Sequence, residues 1–321
     1  MNILFITDSL HSVNGMSIFS RLFVHFLSNT KFQYNVYLFE LETRSYYEND
    51  NNDNLSLISF VDDIDRVYIN GHFTKADIFF RKNPTFFFES ILCISCTNVT
   101  VIKISHGWQK MRPFFSLYYL YYFFRHFHKT LFISSAFKYY NEVLFISNNS
   151  DLYRHFDFSY CVKHNLNYSF FDFQYFFEFY SSKPKLFFDP ITNSSFIKSN
   201  FLLVIANCDP VKNLLSLILI NYKFFIIPKP RKRQIVLLTS SSVGFYGKFI
   251  LFVLNKFNIT IITDQSQKSS LLYNCDYLFI ASFTEYLPIV SLEASSYAKR
   301  IISIFKISSL KDNLNYHSIF K

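Results

Sequence analysis

Two glutamates in the segment TEYLPIVSLE, residues 284–293, are spaced so that both could contact one ligand. Glu285 follows an apolar run typical of a buried strand, which places it at the rim of a parallel sheet, where ligands bind. Pro288 is typical of the first turn of a helix, because its missing N–H would have no partner there. Glu293 then lies about one turn into that helix, beside N-terminal amides that attract anions. A nucleotide-sugar, with hydroxyl groups at both ends and phosphates between them, fits this arrangement.

The elements that must position these residues follow an alternating pattern. Short apolar runs separated by helix-length segments predict two parallel sheets with helices on both faces, and the polar run YYENDNNDN, residues 46–54, predicts a solvated loop. The predicted strands are 3–7, 35–41, 66–70, 99–104, 142–147, 201–206, 223–227, 234–238, 259–263 and 277–281. The predicted helices are 16–28, 214–222, 245–257, 267–274 and 289–298.

Composition and charge bound the class of protein. The 321 residues exceed one ordinary hydrophobic core, so two domains are expected, and half of the residues are apolar. Five scattered cysteines argue for a reducing compartment and against a disulfide scaffold. The net charge of +9 suits nucleic acid, an anionic membrane surface or a phosphorylated substrate, and does not choose among them.

No segment predicts a signal peptide or a membrane span. The opening MNILFITDSL has no basic leader, and the longest apolar stretch, 114–124, is shorter than the roughly 20 residues that a spanning helix needs. Residues 111–129 mix aromatic and basic side chains. This segment could lie on an anionic bilayer or pack on its own sheet, and both interpretations stay open.

Several segments resemble the retaining glycosyltransferases of family 4, and they occur in that family's order. FTEYLPIVSLEASSYA resembles the E-x7-E segment, LLVIANCDPVKNLLSLI the strand and Lys-Asn helix start, and ISHGWQK the segment with the N-terminal-domain histidine. ILFITDSLHSVNGMSIF resembles the opening strand and glycine loop, NEVLFISNNSD the segment that ends in a serine, and CVKHNLNYSFF the V-I-x-N-G segment. The matches run from residue 3 to about 302.

The resemblance implies the GT-B fold, in which two Rossmann-like domains face each other across a cleft. The N-terminal, acceptor-side domain would be residues 1–182, and the nucleotide-sugar domain, apparently shortened, would be residues 183–321. Glu285 would contact the transferred sugar and Glu293 the ribose, while Lys212 would pair with the diphosphate. Asn207, Pro288 and Ile289 would line the donor site, and His106 and the loop around Gly15 would face the sugar from the other domain. The resemblance implies neither a metal nor a cofactor.

The chain departs from the family pattern at several positions. Tyr286 replaces the usual glycine after the first glutamate, Asn207 the usual arginine, and Leu166 the glycine of V-I-x-N-G. Ala298 and Arg300 replace the glycine and proline that usually follow the second glutamate. Members also continue beyond the point, 28 residues after Glu293, where this chain ends. These departures keep open the alternative of a weak or inactive GT-B-like subunit that partners another transferase.

The residues of the expected site also have ordinary explanations. Two glutamates at this spacing occur by chance in many proteins, Lys212 could be an exposed helix-start lysine, and His106 a loop histidine. The order of the matches favours the site.

The expected function is a metal-independent hexosyltransferase that moves a sugar from a nucleotide-sugar to a glycan or glycolipid acceptor, with a lipid-linked cell-surface polysaccharide favoured. We expect it in the cytoplasm, either free or peripheral on the inner face of the plasma membrane. Nucleic acid is not an expected partner, because no recognition module is present. A nucleotide-sugar epimerase is disfavoured by the E-x7-E pattern.

Overall fold

The computed structural model divides the chain into two compact units, Met1–Phe173 and Gln174–Lys321. The predicted boundary between residues 182 and 183 lies outside the described residues. The residues that the structure describes are 1–8, 15–29, 34–49, 55–58, 63–70, 99–106, 139–146, 156–171, 201–209, 212–221, 234–240, 244–283, 285, 288–297, 299–307, 310 and 316–320.

The first unit is built on an eight-stranded sheet in the order β4-β3-β2-β1-β5-β6-β7-β8. Strands β3 and β4 run antiparallel to their neighbours, and all other pairs are parallel. Its strands are β1 (Asn2–Thr7), β2 (Asn35–Glu40), β3 (Ser45–Asn49), β4 (Leu55–Ile58), β5 (Arg66–Asn70), β6 (Thr100–Ser105), β7 (Glu142–Phe145) and β8 (Asn167–Phe170), and its helices are α1 (Gly15–Ser28) and α2 (Phe156–His164).

The first helix forms where its apolar periodicity predicts it. Phe19, Leu22, Phe23 and Phe26 recur at helical spacing and are all buried. The Phe23 ring lies 5.4 Å from that of Phe5 on β1, so this face of the helix packs on the centre of the sheet. The α/β character of the N-terminal half follows from this packing.

The loop predicted at residues 46–54 is wrong for its first part. Ser45–Asn49 forms β3, which pairs antiparallel with β2. The Tyr46 ring packs 4.8 Å from Phe39, and the Tyr47 hydroxyl donates to the buried carboxylate of Glu40 at 3.2 Å. These cross-strand contacts stabilise a strand in a segment whose polar composition indicates a loop. Residues 50–54 lie outside the described part of the chain.

The second unit contains a six-stranded sheet that is parallel throughout, in the order β11-β10-β9-β12-β13-β14. Strands β13 and β14 were not expected from the sequence, and the predicted strand at 223–227 lies outside the described residues. The strands are β9 (Phe201–Ile205), β10 (Gln234–Leu238), β11 (Thr260–Ile262), β12 (Tyr277–Ile280), β13 (Arg300–Phe305) and β14 (Tyr316–Phe320), and the helices are α3 (Ser216–Asn221), α4 (Phe245–Lys256), α5 (Lys268–Asn274) and α6 (Ile289–Ser296).

Both faces of the second sheet carry helices, as the strand composition predicts for a parallel sheet. Leu217 of α3 and Leu254 of α4 are buried in the core on one face, and Leu271 of α5 and Ala294 of α6 in the core on the other. None of the helices in the described ranges is long and apolar enough to cross a membrane.

Candidate active site

The second sheet has a topological switch point between its central strands β9 and β12. The chain proceeds from β9 to β10 on one side and from β12 to β13 on the other, so the connections leave in opposite directions. In open parallel sheets this divergence opens a crevice beyond the carboxyl ends of the two strands, where ligands bind. The segments that follow β9 and β12 therefore border the expected ligand site.

Lys212 and Glu285 meet at this switch point. Lys212 follows β9 and Glu285 follows β12, and the Lys212 Nζ donates to Glu285 Oε2 at 2.7 Å. The side chains are 28% and 19% exposed, so the pair lies at the surface of the crevice with access to solvent. Two residues that the sequence assigned separately to a diphosphate and a sugar are thus in direct contact.

Asn213 fixes the approach of Lys212. Its backbone has a φ of 51°, in the left-handed region that asparagine adopts more readily than most residues. The Asn213 Nδ2 donates to the carbonyl of Ala281 at 3.2 Å, just past β12, and its own carbonyl accepts from Ser216 Oγ at 2.7 Å. The loop after β9 is thereby tied to the end of β12, which holds Lys212 next to Glu285.

Glu293 lies one turn into α6, as predicted, and is buried. Lys268, the first residue of α5, donates from Nζ to Glu293 Oε1 at 2.5 Å. Burial raises the pKa of Glu293, and the positive charge of Lys268 opposes that rise. Sequence reasoning missed Lys268, although its position at a helix start after β11, on the same rim, was a usable signal.

Pro288 was expected in the first turn of the helix. It is instead the N-cap residue of α6, just before that turn. Its φ of −70° is that of proline, while its ψ of 104° is extended, and Ile289 is the first helical residue. The Pro288 carbonyl accepts from Ser291 N at 2.7 Å and from Ser291 Oγ at 2.6 Å, so this carbonyl already begins the turn. Because proline has no side-chain acceptor, it leaves the first-turn amides of α6 without a side-chain cap.

Asn207 lies on the same rim but is exposed, in the loop after β9. Its carbonyl accepts from Asp209 N at 2.8 Å, and the carbonyl of Asp209 accepts from Lys212 N at 2.9 Å. These turns shape the backbone between the strand and Lys212. The position that the family usually fills with a cation therefore holds a neutral side chain facing solvent.

A separate polar chain lies at the carboxyl end of the first sheet. His106 Nε2 is 2.6 Å from Asn70 Oδ1, and Asn70 Nδ2 donates to Ser20 Oγ at 2.7 Å. Ser20 Oγ is 2.9 Å from the hydroxyl of Thr7, at the end of β1. Because the Asn70 amide nitrogen donates to Ser20, its oxygen accepts from His106, which sets Nε2 as the protonated nitrogen.

The ring of His106 is also held from one side by Phe19, whose centroid is 4.6 Å away in an edge-to-face arrangement. Since Nε2 carries the proton in its hydrogen bond to Asn70, the lone pair of the neutral imidazole belongs to Nδ1. Gly15, the other predicted residue of this unit, is the first residue of α1. His106 and Gly15 each lie in the first unit, and the Lys212–Glu285 pair in the second. Sequence reasoning missed Asn70.

The predicted membrane-binding segment, 111–129, lies outside the described residues. Among the described residues, no group of three or more His, Cys, Asp or Glu side chains could hold a metal ion. Of the three described cysteines, Cys161 and Cys275 are buried, which raises the pKa of each thiol to about 12 and keeps both protonated at neutral pH.

Solved structures resemble this chain over nearly its whole length. The catalytic domain of starch synthase IV from Arabidopsis thaliana, bound to ADP and acarbose, covers 97% of this chain and 84% of its own, with a TM-score of 0.57 and 11% identity. Sucrose-phosphate synthase from Thermosynechococcus elongatus covers 97% and 82%, with a TM-score of 0.58 and 9% identity. The fold is GT-B. An E. coli trehalose-6-phosphate structure bound with UDP-2-fluoro glucose covers 97% and 86%, with a TM-score of 0.52 and 9% identity.

At such low identity the GT-B likeness shows the fold alone. No protein-family model matches the sequence, and no curated protein matches it. The GT-B fold confirms the architecture expected from the order of the sequence segments.

Proposed function

We propose that this GT-B protein is a retaining glycosyltransferase that moves a hexosyl group from a nucleotide-sugar to a glycan or glycolipid acceptor. The observation that carries the proposal is the Lys212–Glu285 pair at the β9–β12 switch point. A lysine ammonium and a carboxylate at that place supply one group for a diphosphate and one for sugar hydroxyls. Solved structures of the same fold are described with ADP and acarbose or with UDP-2-fluoro glucose, which supports a donor of this class.

The donor binds by exchanging partners at this pair. Lys212 moves from the carboxylate to the diphosphate, where its compact ammonium neutralises charge, and Glu285 becomes available to accept from the sugar hydroxyls. Pro288 gives the first turn of α6 no side-chain cap, which suits an anion at that helix N-terminus. Glu293, buried one turn further, accepts from the ribose hydroxyls. In this arrangement no metal is required to hold the diphosphate.

Lys212 also acts in the chemical step. As the bond from the sugar to the phosphate breaks, negative charge develops on the departing diphosphate, and a lysine already in place stabilises it. Retention follows when the acceptor hydroxyl attacks from the face the phosphate leaves, with the phosphate taking the acceptor's proton. No second carboxylate of the glycosidase type is then needed. Within the first unit, His106 is held by Asn70 and Phe19, and its role toward the sugar stays a prediction.

Thermal unfolding with a panel of UDP-, GDP-, ADP- and CDP-sugars tests the donor site. A bound donor at one hundred times its dissociation constant stabilises the folded protein by about 2.7 kcal/mol. Glu285→Gln and Glu293→Gln should abolish this stabilisation, and Glu48→Gln, the same change at an exposed carboxylate in the first unit, should retain it. If all three variants respond to a donor like the parent protein, the donor does not bind at this rim.

Lys212→Met separates binding from catalysis. We expect kcat to fall about 100-fold, the scale for removing one group that stabilises transition-state charge, with a smaller change in donor KM. An unchanged kcat for transfer would remove Lys212 from the mechanism.

A second candidate function is that of an inactive GT-B-like subunit. The ion pairs that both carboxylates already make favour it. Glu285 and Glu293 are each held by a lysine, so an unused donor site could persist as a pair of structural ion pairs. Donor hydrolysis by the purified chain, absent in Glu285→Gln, would exclude it. Failure of every donor to stabilise the chain, together with co-purification of a second transferase, would establish it.

A further inference from the structure

Helix α4 presents a row of phenyl rings to solvent. Phe245, Phe249 and Phe252 are 92%, 55% and 61% exposed, and they recur at i, i+4 and i+7, which is one stripe of a helix. The opposite side of α4 is buried in the core through Ile250 and Leu254. Single exposed apolar residues are ordinary, whereas a contiguous exposed row marks a binding surface.

The neighbouring helix α3 also exposes apolar side chains. Leu215 and Leu219 are about half exposed, one just before and one within α3. Helix α3 packs into the same core as α4, so both helices lie on one face of the second sheet. The Asn221 Nδ2 donates to the carbonyl of Phe257 at 2.6 Å, which joins their carboxyl ends. We call the surface formed by Leu215, Leu219, Phe245, Phe249 and Phe252 the Phe–Leu face.

The charged residues of α4 are all basic. The helix contains Lys248 and Lys256 and no Asp or Glu. Both lysines are exposed, and the Lys256 Nζ lies 5.6 Å from the centroid of the Phe252 ring. A partner that fits this surface is therefore apolar at its centre and negatively charged around it.

We propose that the Phe–Leu face docks on an anionic lipid bilayer. Phenyl and leucyl side chains enter the boundary between headgroups and acyl chains, while the lysine stems lie along that surface and place their ammonium groups at the phosphates. A second copy of the chain fits less well, because its net charge of +9 and its own basic face would be repelled. Nucleic acid fits less well because the leucines offer neither a hydrogen bond nor a stacking surface.

Vesicle flotation with the full chain tests the proposal. The probes are phosphatidylcholine vesicles and vesicles in which part of the phosphatidylcholine is replaced by phosphatidylglycerol. We expect binding to the anionic vesicles, weakened at least about tenfold by the double change Phe245→Ser and Phe252→Ser, because two apolar side chains no longer leave water. Lys248→Gln and Lys256→Gln should each weaken it about fivefold.

The matched control is the double change Leu57→Ser and Val162→Ser, which removes two apolar side chains that are 69% and 66% exposed in the first unit. This control should bind anionic vesicles like the parent chain. An unchanged melting temperature for both double variants would show that both are folded. Equal binding by the Phe245→Ser and Phe252→Ser variant and the control, or equal binding to neutral and anionic vesicles, overturns the proposal. The proposal is also overturned if the parent chain binds no vesicles and light scattering shows that it dimerises through this face. Salt-dependent binding of RNA by a parent chain that binds no vesicles overturns it as well.

Discussion

Replacing Lys268 by methionine tests whether Glu293 is held as a buried carboxylate. The substitution keeps the length of the side chain and removes the ammonium group that donates to Glu293 Oε1 at 2.5 Å. The two side chains are 19% and 12% exposed, so neither charge is well solvated. Removing one partner of a buried pair costs about 3–5 kcal/mol, and the partial exposure of Lys268 places the expected loss at about 3 kcal/mol.

The pH dependence gives this prediction its sign. Burial already raises the pKa of Glu293 above its ordinary value of 4.5, and without Lys268 the pKa rises further. A raised carboxyl pKa means that folding favours the protonated form, so stability falls as pH increases through the raised pKa. The variant should therefore lose most stability at neutral pH. The loss should shrink as the pH falls toward and below 4.5, where the carboxyl becomes protonated in the unfolded state as well.

Urea and thermal unfolding of the full chain between pH 4 and pH 8 measure the effect. A loss of about 3 kcal/mol lowers the melting temperature of a unit of this size by about 6–12 °C. Lys248→Met, at an exposed lysine of α4, is the control and should change stability by less than about 0.5 kcal/mol. A loss for Lys268→Met that is the same at every pH would refute the reasoning, because the loss would then not depend on the charge of Glu293.

Three further outcomes follow from the structure. Asn213→Ala should lower the free energy of unfolding by at least about 1 kcal/mol, because alanine is strained at a φ of 51°, and should lower donor affinity by releasing Lys212. Asn213→Gly should restore the stability, because glycine is not strained there, but not the donor affinity. Unfolding measures the stability and calorimetry the affinity. Leu203→Ala, at a fully buried residue of the central strand β9, should cost about 3 kcal/mol in urea unfolding, whereas Leu219→Ala on the surface should cost little. Asn70→Ala should cost about 1–3 kcal/mol, because a buried amide that joins two side chains is lost; a smaller value in urea unfolding would show that the polar chain of the first unit is not stabilising.

Most of the sheet architecture could be predicted because its signal is local. Buried parallel strands such as β9 and β12 are short unbroken apolar runs, and the helices between them show their own periodicity. Strand β3 was not predicted, because its stability comes from tyrosines that pack on β2. The polar composition of residues 46–54 does not indicate this pairing. Strand β13, RIISIF, is apolar enough to have been recognised, whereas β14 includes His317 and Ser318 and gives a weaker signal.

The candidate site was predictable only in part, because its contacts join distant segments. The order of motifs identified Lys212 and Glu285 individually, and the sheet topology then brings them together although they are 73 positions apart. The position of Lys268 at a helix start on the rim was a signal for the residue itself. Its contact with Glu293 was not predictable, because the two helices follow different strands. Whether these residues bind a donor stays a prediction.

The order of the second sheet has a consequence for the chain during synthesis. Strand β9 lies at the centre of the sheet, yet one of its two neighbours, β12, comes more than seventy residues later. Until the ribosome has delivered residues 277–280, one edge of an entirely apolar strand has no strand to pair with, which exposes it to other nascent chains. Slow translation or premature termination between β11 and β12 should therefore produce aggregates rather than a partly folded unit, and holdase chaperones should bind the nascent protein mainly during that interval.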